Sequence, residues 1–184
     1  MQMKPLFTIG HGNRKPEVFL SLLQEFDIHY LIDVRSQPYS KVNISYNQND
    51  IKFFLQKHGI KYVFMGDTIG GRPEYPSCYN DDGKVEYDKI KEKNYFLDGI
   101  DRLKTAYRKR LNVVLMCSEL KPCECHRSKL IGKVLFDINI PLLHIDENGK
   151  VKDQITVINE LNKGLSDKTL FGEDLNSSSR KSYL

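Results

Sequence analysis

The segment that carries most of the reactive side chains runs from Val113 to Phe136 and reads VVLMCSELKPCECHRSKLIGKVLF. Three of the four cysteines of the chain, with glutamate, histidine and arginine residues, fall between Cys117 and Arg127. An apolar run ends just before them, and a helical pattern of apolar residues begins just after. Three interpretations follow: a metal site, a catalytic nucleophile with assisting residues, or a strand-to-helix connection whose thiols have no chemical role.

Cys117 ends the apolar run and is the candidate nucleophile of this segment. A cysteine at a strand end that faces a helix N-terminus has its pKa lowered by the helix dipole, which favours the reactive thiolate. Enzymes that carry sulfur or cleave phosphate on such a cysteine need a short loop from the cysteine to an arginine, and here Arg127 lies ten positions on. The simpler interpretation is a small buried apolar residue.

Metal binding is the alternative use of the same residues. Cys117, Cys123, Cys125 and His126 all carry soft or borderline ligand atoms. Structural zinc sites usually show two well-separated ligand pairs, which a single C-x5-C-x-C-H does not match. Neighbours such as Cys125 and His126 would also point about 100° apart on a helix. A site of Cys117, Cys125 and His126 remains open, with zinc or iron as the ions that suit thiolate and imidazole.

Short apolar runs alternate with amphipathic segments, a pattern typical of a parallel sheet covered by helices. It predicts a single α/β domain over residues 1–163, with an open, mostly parallel sheet of about five strands and helices on both faces. The predicted strands are LFTIG (6–10), YLIDV (30–34), YVFMG (62–66), NVVLM (112–116) and PLLHI (141–145). The helical patterns cover 16–26, 49–59, about 85–110, 130–138 and 153–163. Residues 164–184 are polar and serine-rich, which predicts a flexible C-terminal tail.

Polar groups follow the first four predicted strands, as GHGN, DVRSQPYSK, GDTIGGRP and CSELKPCECHR. In open α/β sheets, ligands bind where strands end and loops lead into helices. The side chains expected at one rim are therefore His11, Asp33, Arg35, Ser36, Arg72, Cys117 and Glu119. This convergence of four loops predicts a ligand site.

The charges at this rim favour an anionic ligand. The residues expected to bind it are Arg35, Ser36, Arg72, Arg127 and Tyr39. Arg127 would act with the N–H groups of a helix start, unless it pairs with Glu119, Glu124 or Asp33. Because no basic stripe of the duplex-binding kind is present, a small anion or a single-stranded or flipped nucleotide fits better.

Length and composition limit the number of domains and the class of protein. At 184 residues, the chain suits one domain with a sizeable core. No apolar run approaches the roughly 20 residues of a membrane span, and the start, MQMKPLFTIGHGN, lacks a signal core. We therefore expect a cytoplasmic protein without membrane contact, whose cysteines are kept reduced. The net charge of +4 permits phosphorylated ligands and does not demand them.

Five motifs resemble a known family: TIGHGN, DVRSQPYSK, IGGRP, LMCSELKPCECHR with the following KLIGKVL, and HIDENG. They look like the bacterial family of unknown function numbered 488, over roughly residues 6–150. The resemblance implies an α/β domain with shared polar residues in GHGN, DVRS and the C-x-E…CHR group. In this sequence these are His11, Asp33, Arg35, Ser36, Cys117, Glu119, Cys125, His126 and Arg127. The resemblance does not include Cys123 and implies no particular reaction.

Three functions are compatible with these residues. The first is an enzyme, a hydrolase or transferase, that acts on a phosphate-bearing substrate at the strand rim, with Cys117 and Glu119 as the reactive pair. Its catalytic residues would be Cys117, Glu119, His11, His126 and Asp33, with a histidine moving protons and Asp33 orienting it. The second is a metal-binding or redox protein whose thiols ligate zinc or iron. The third is a non-catalytic module that binds an anion or nucleic acid.

Overall fold

The computed structural model describes residues 3–162 and 178–184. Within these ranges the strands are β1 (Leu6–Gly10), β2 (Tyr30–Asp33), β3 (Lys61–Phe64), β4 (Lys84–Glu86), β5 (Val113–Cys117), β6 (Leu142–Ile145), β7 (Val151–Asp153) and β8 (Ser178–Ser182). The α-helices are α1 (Pro16–Glu25), α2 (Gln48–Lys57), α3 (Gly66–Ile69), α4 (Tyr87–Lys91), α5 (Asn94–Arg108), α6 (Lys133–Asp137) and α7 (Gln154–Asn162). Short 3-10 turns cover Ile44–Tyr46, Pro76–Cys78 and Pro122–Glu124, and a π-helical segment, Arg127–Gly132, precedes α6.

Six strands form the main sheet, in the order β3-β2-β5-β1-β6-β7. The first five of these are parallel, and β7 runs antiparallel to β6. The predicted open, mostly parallel sheet is therefore confirmed. The additional strand, β7, has three residues and follows a tight turn at Gly149, so it is too short to show a pattern in the sequence.

The strand side chains alternate between two apolar layers, because successive residues of a strand point to opposite faces. On one face Leu115 and Cys117 pack with α5 and the π-helical segment, and on the other Val114 and Met116 pack with α1 and α2. Helices thus cover both faces, as predicted. Among the described residues, no helix combines the length and apolar character needed to cross a membrane.

The helical pattern predicted from about 85 to 110 divides into three elements. Val85 lies in β4, and α4 is separated from α5 at Glu92 and Lys93. The backbone of Lys93 is extended (φ −83°, ψ 135°), a conformation that interrupts an α-helix. The apolar period continues across the break because both helices bury residues in the same layer, including Ile90 and Phe96.

The last seven residues return to the domain. β8 pairs antiparallel with β4, and the backbone N–H of Tyr183 donates to the Gly83 carbonyl at 2.8 Å. The structure therefore differs from the flexible tail predicted for 164–184 in residues 178–184, and the rest of that prediction lies outside the described residues. Polar composition alone does not reveal a strand whose partner lies far away in the sequence.

Candidate functional site

A cavity of about 290 Å³ opens at the carboxyl ends of the central strands. Its position follows from strand register: Gly10 of β1 lies beside Cys117 of β5, and Asp33 of β2 lies beside Met116. The loops that leave these three neighbouring strands therefore meet at one edge. Of the residues predicted for the site, those that line the cavity are His11, Arg35, Ser36, Tyr39, Arg72, Cys117, Glu119, Cys125 and His126.

Three atoms of the metal-ligand type meet in this cavity. The Nδ1 atom of His126 lies 3.7 Å from Sγ of Cys117 and 3.6 Å from Sγ of Cys125. All three atoms lie within 4.8 Å of one another, and all three residues are buried. Helical spacing would separate Cys125 from His126, but Cys125 is extended (φ −121°, ψ 150°) and follows a 3-10 turn. At this break in the helical path, the side chains of Cys125 and His126 reach the same part of the cavity.

The orientation of His126 is fixed by its other ring nitrogen. Nε2 donates to the Val34 carbonyl at 3.1 Å, which leaves Nδ1 facing the two thiols. The ring also lies against Gly71, where a Cβ atom would come within 2.7 Å of the imidazole. The glycine pair of the IGGRP motif therefore makes room for this histidine.

Glu119 is the acidic group of the cluster. Its Oε2 atom accepts a hydrogen bond from the Cys117 thiol at 2.8 Å and lies 3.4 Å from Sγ of Cys125. Its backbone carbonyl approaches β1 at Gly10, where a side chain would clash with it. Glu119 is thus held directly over the end of the strand that carries Cys117.

Arg127 lies behind the cavity and does not line it. Its side chain is fully buried, and NH2 donates to the backbone carbonyls of Glu119 at 2.9 Å and Leu120 at 2.7 Å. NH1 lies 3.4 Å from the Thr8 hydroxyl. Within the described residues, the guanidinium of Arg127 contacts backbone carbonyls and the Thr8 hydroxyl rather than a carboxylate, and Arg127 is not in the cavity lining. Its observed contacts hold the loop that carries Glu119.

The pKa values of the two thiols and of the imidazole are shifted in different directions. The hydrogen bond from Cys125 lowers the pKa of Cys117 well below its ordinary value, and His126 lowers it further, against the effect of burial. Burial raises the pKa of Cys125 well above its ordinary value, and the charge of Cys117 adds to this. Burial lowers the pKa of His126, but Cys117 and Glu119 raise it by more. The shifts therefore have opposite directions for the two thiols, since the pKa of Cys117 is lowered and that of Cys125 is raised.

Arg35 lines the cavity with its charge already paired. Nε and NH2 donate to the Asp33 carboxylate at 2.9 and 2.6 Å, and NH1 donates to Nε2 of His11 at 3.1 Å. Nδ1 of His11 donates to the Gly12 carbonyl, so both of its nitrogens are engaged. Burial and the charge of Arg35 lower the pKa of His11 to about 4. Asp33 thus orients Arg35, and both ring nitrogens of His11 have hydrogen-bond partners.

The outer wall contains residues that the sequence did not predict. Arg180, Lys181 and Tyr183, at the C-terminus, line the cavity beside Arg72. The guanidinium of Arg72 lies 4.0 Å above the ring of Tyr183. Only the pairing of β8 with β4 brings these residues to the site, and no local motif marks that pairing.

The other residues predicted to bind the anion, Ser36, Tyr39 and Arg72, also line the cavity. The backbone N–H of Arg72 donates to Oγ of Ser36 at 2.9 Å, so Ser36 fixes the loop that carries Arg72. Tyr39 lies at the mouth and is 69% exposed. Cys123 and Cys78 lie outside the cavity lining: Cys123 is half-buried, and Cys78 is buried in the core although its sequence suggests a polar loop.

A family model described as "Domain of unknown function DUF488" matches residues 15–134, more than half of the chain. The matched range includes the DVRS group and the whole C-x-E…CHR group. The motifs TIGHGN and HIDENG lie outside it. The comparisons with curated proteins and with solved structures gave no match.

Proposed function

The chain belongs to the DUF488 family of unknown function, and we propose that it is an enzyme, a hydrolase, built around one metal ion. Cys117, Cys125 and His126 hold the ion, which is zinc or iron. Glu119 transfers protons beside it. The substrate is an anion that enters through the cavity lined by arginine and lysine side chains.

The spacing of the three ligand atoms carries this proposal. In a tetrahedral zinc site with typical bond lengths, the distance between a sulfur and a nitrogen ligand is roughly 3.5–3.6 Å. Nδ1 of His126 lies 3.7 Å from Cys117 Sγ and 3.6 Å from Cys125 Sγ. Both sulfur–nitrogen distances therefore match such a site, and the two sulfurs lie within 4.8 Å of each other.

The surroundings of the ligands support the same conclusion. Metal-binding histidines usually donate their second ring N–H to a carbonyl or carboxylate, as His126 does to the Val34 carbonyl. The backbone N–H of Arg127 points to Cys125 Sγ at 3.5 Å, a contact that favours the thiolate form. Thiolate and imidazole ligands suit zinc and iron better than magnesium or calcium.

Three protein ligands distinguish a catalytic site from a structural one. Structural zinc sites are closed by four ligands, whereas catalytic sites keep one position open. All three ligands and Glu119 line the cavity, so an ion held by these three residues would be open to a substrate there. An ion bound in this way supplies an activated water with a pKa of about 7.

Glu119 is the proton-transfer group. Its Oε2 atom lies 2.8 Å from Cys117 Sγ and 3.4 Å from Cys125 Sγ, within reach of the open position. As a general base it takes a proton from water, and as a general acid it returns the proton to the leaving group. Zinc deaminases divide the work in this manner, with cysteine and histidine on the metal and a separate glutamate for the protons.

A second candidate, a thiol enzyme without metal, is favoured by the lowered pKa of Cys117. In that case Cys117 is the nucleophile, and His126 stabilises its charge. Cys117 is only 3% exposed, so a substrate would reach its sulfur only through the cavity that it lines. The metal enzyme does not require that approach.

Elemental analysis of the purified full chain separates the two candidates. The metal enzyme predicts about one zinc or iron per chain, since the described residues contain one set of three ligands. C117S, C125S and H126A should lose the ion, and C123S is the matched control that should retain it. A wild-type protein that neither carries nor takes up Zn²⁺ or Fe²⁺ contradicts the proposal.

A further inference from the structure

The last described residues form one wall of the cavity, far in sequence from its floor. Arg180, Lys181 and Tyr183 line this wall together with Arg72. We infer that the wall is a phosphate-binding site, in which Arg72, Arg180 and Lys181 bind the phosphate group of the substrate. The inference rests on the proposed function, because it names the anionic group that the same cavity holds.

The wall is fixed to the domain by strand pairing. Ser179, which is buried, accepts a hydrogen bond on Oγ from the backbone N–H of Val85 at 2.9 Å. The backbone N–H of Tyr183 donates to the Gly83 carbonyl at 2.8 Å. Gly83 has a positive φ of 70°, and a Cβ atom there would lie 2.6 Å from Oγ of Ser182. Arg180 and Lys181 are therefore held between two anchored ends.

Arg72 is oriented by contacts that leave its charge available. Its backbone N–H is bound to Ser36, and its guanidinium stacks on Tyr183 at 4.0 Å. Among the residues that the structure describes, neither Arg72 nor Lys181 has a carboxylate partner. A stacked guanidinium keeps its N–H groups in one plane, which suits two hydrogen bonds to a phosphate.

Arg180 has a partner that a phosphate can replace. Its NH1 atom lies 2.8 Å from Oε2 of Glu124, and both side chains are more than a third exposed. Exposed ion pairs of this kind are weak, so a dianion competes with the carboxylate. Glu124 directly precedes the ligand Cys125, which connects the wall to the loop of the metal site.

The number of cations favours phosphate over a carboxylate. A phosphate monoester carries a charge of about −1.5 to −2 at pH 7 and three acceptor oxygens. Three basic side chains match this charge, whereas one carboxylate would leave most of it without a partner. The same cavity is lined by Glu119 and the three ligand residues. A substrate fixed at the wall thus presents another of its bonds to the metal site.

Calorimetric titration of the full chain with inorganic phosphate, pyrophosphate and acetate tests the inference. We expect saturable binding of phosphate and pyrophosphate, and weaker binding of acetate. The double variant R180Q/K181Q should lose at least about tenfold in affinity for phosphate, because two charge-assisted contacts are removed. The double variant R108Q/K109Q, at the exposed end of α5, is the matched control that should bind as the wild type does.

Tyr183 gives a second, independent test. Y183F keeps the ring below Arg72 and should bind phosphate more tightly than Y183A does. Y183A removes the ring and should weaken binding, even though no charge is lost. Equal affinity of R180Q/K181Q and wild type, or equal affinity for acetate and phosphate, overturns the inference. If R180Q/K181Q proves unstable by circular dichroism, the single variant K181Q decides, because Lys181 is exposed.

Metal content measured on the same samples separates the two proposals. A wild type that holds an ion and does not bind phosphate overturns the phosphate site alone. A wild type without an ion, whose phosphate binding depends on Arg180 and Lys181, overturns the metal enzyme alone. Loss of phosphate binding in R180Q/K181Q with the ion retained supports both.

Discussion

The side chains of Cys117 and His126 meet at 3.7 Å, although they are nine positions apart and belong to different elements. Cys117 ends the central strand β5, and His126 directly precedes the π-helical segment. Between them, the 3-10 turn Pro122–Glu124 and the extended Cys125 turn the chain back over the strand end. Their contact therefore depends on the conformation of one short loop.

Cysteine labelling should change its order when the ion is removed. With the ion bound, Cys117 is protected, and the half-buried Cys123 reacts first with iodoacetamide. After chelation Cys117 should react first, because Cys125 and His126 lower its pKa whereas burial raises that of Cys123. Cys78 is fully buried and should react last. Peptide mass spectrometry over time gives the order, and fast labelling of Cys117 before chelation would support the thiol enzyme instead.

The substitution E119Q should separate proton transfer from metal binding. The amide keeps the size of the side chain and cannot act as a base. We expect about one ion per chain to remain, and hydrolysis of phosphate esters to fall about 10²–10⁴-fold relative to wild type. E92Q, which makes the same change at an exposed glutamate outside the cavity, is the control. Loss of the ion in E119Q would show that Glu119 is a fourth ligand and that the site is closed.

The substitution R127M should destabilise the fold. It removes the donors to the carbonyls of Glu119 and Leu120 in a fully buried place. We expect the free energy of unfolding to fall by about 3–5 kcal/mol, measured by urea denaturation. R108M, on the exposed end of α5, should change it by less than about 0.5 kcal/mol. A stable R127M that no longer binds phosphate would instead support a direct contact between Arg127 and the ligand.

The buried His144 should make the protein acid-sensitive. Its nitrogens lie 2.7 Å from the Thr8 hydroxyl and 2.7 Å from Oε1 of Gln154, and burial lowers its pKa from 6.5 to about 4. Between pH 6.5 and about 4, His144 is therefore protonated in the unfolded chain and neutral in the folded chain. This contribution is present above pH 6.5, is lost as the pH falls through about 4, and is on the order of 3 kcal/mol.

Urea denaturation at several pH values tests this prediction with the variant H144Q. The fall in unfolding free energy between pH 7 and pH 4 should be smaller for H144Q than for wild type. H58Q, which changes an exposed histidine, should keep the wild-type slope. Part of the slope should persist in H144Q because His11 also has a lowered pKa. Equal slopes for H144Q and wild type would contradict the prediction.

The sheet and the rim could be predicted from the sequence because both follow from local patterns. Each of the five predicted apolar runs forms a strand, and parallel strands place their following loops at one edge. His11, Arg35 and Cys117 meet for this reason. The match of the family model to residues 15–134 agrees with the resemblance over that range.

What the sequence did not reveal depends on backbone conformation and remote pairing. The convergence of Cys125 and His126 requires an extended residue where the helical pattern suggests a helix start. Arg127 lies on the inward-facing side of its helical segment. Its guanidinium donates to the backbone carbonyls of Glu119 and Leu120 and does not line the cavity. Arg180 and Lys181 reach the site only through β8, whose residues carry no apolar alternation.

The cavity lies between a six-stranded and a two-stranded sheet, and we expect the hydrogen bonds of the two sheets to open at different rates. The floor of the cavity lies at the end of β5, a strand that is hydrogen-bonded to β1 on one side and to β2 on the other. Its outer wall belongs to the two-stranded sheet of β4 and β8. Amide hydrogens of β5 should exchange with solvent only on global unfolding, whereas those of β8 should exchange through local opening. Such local opening would release the wall of the cavity while the residues of the floor keep their positions.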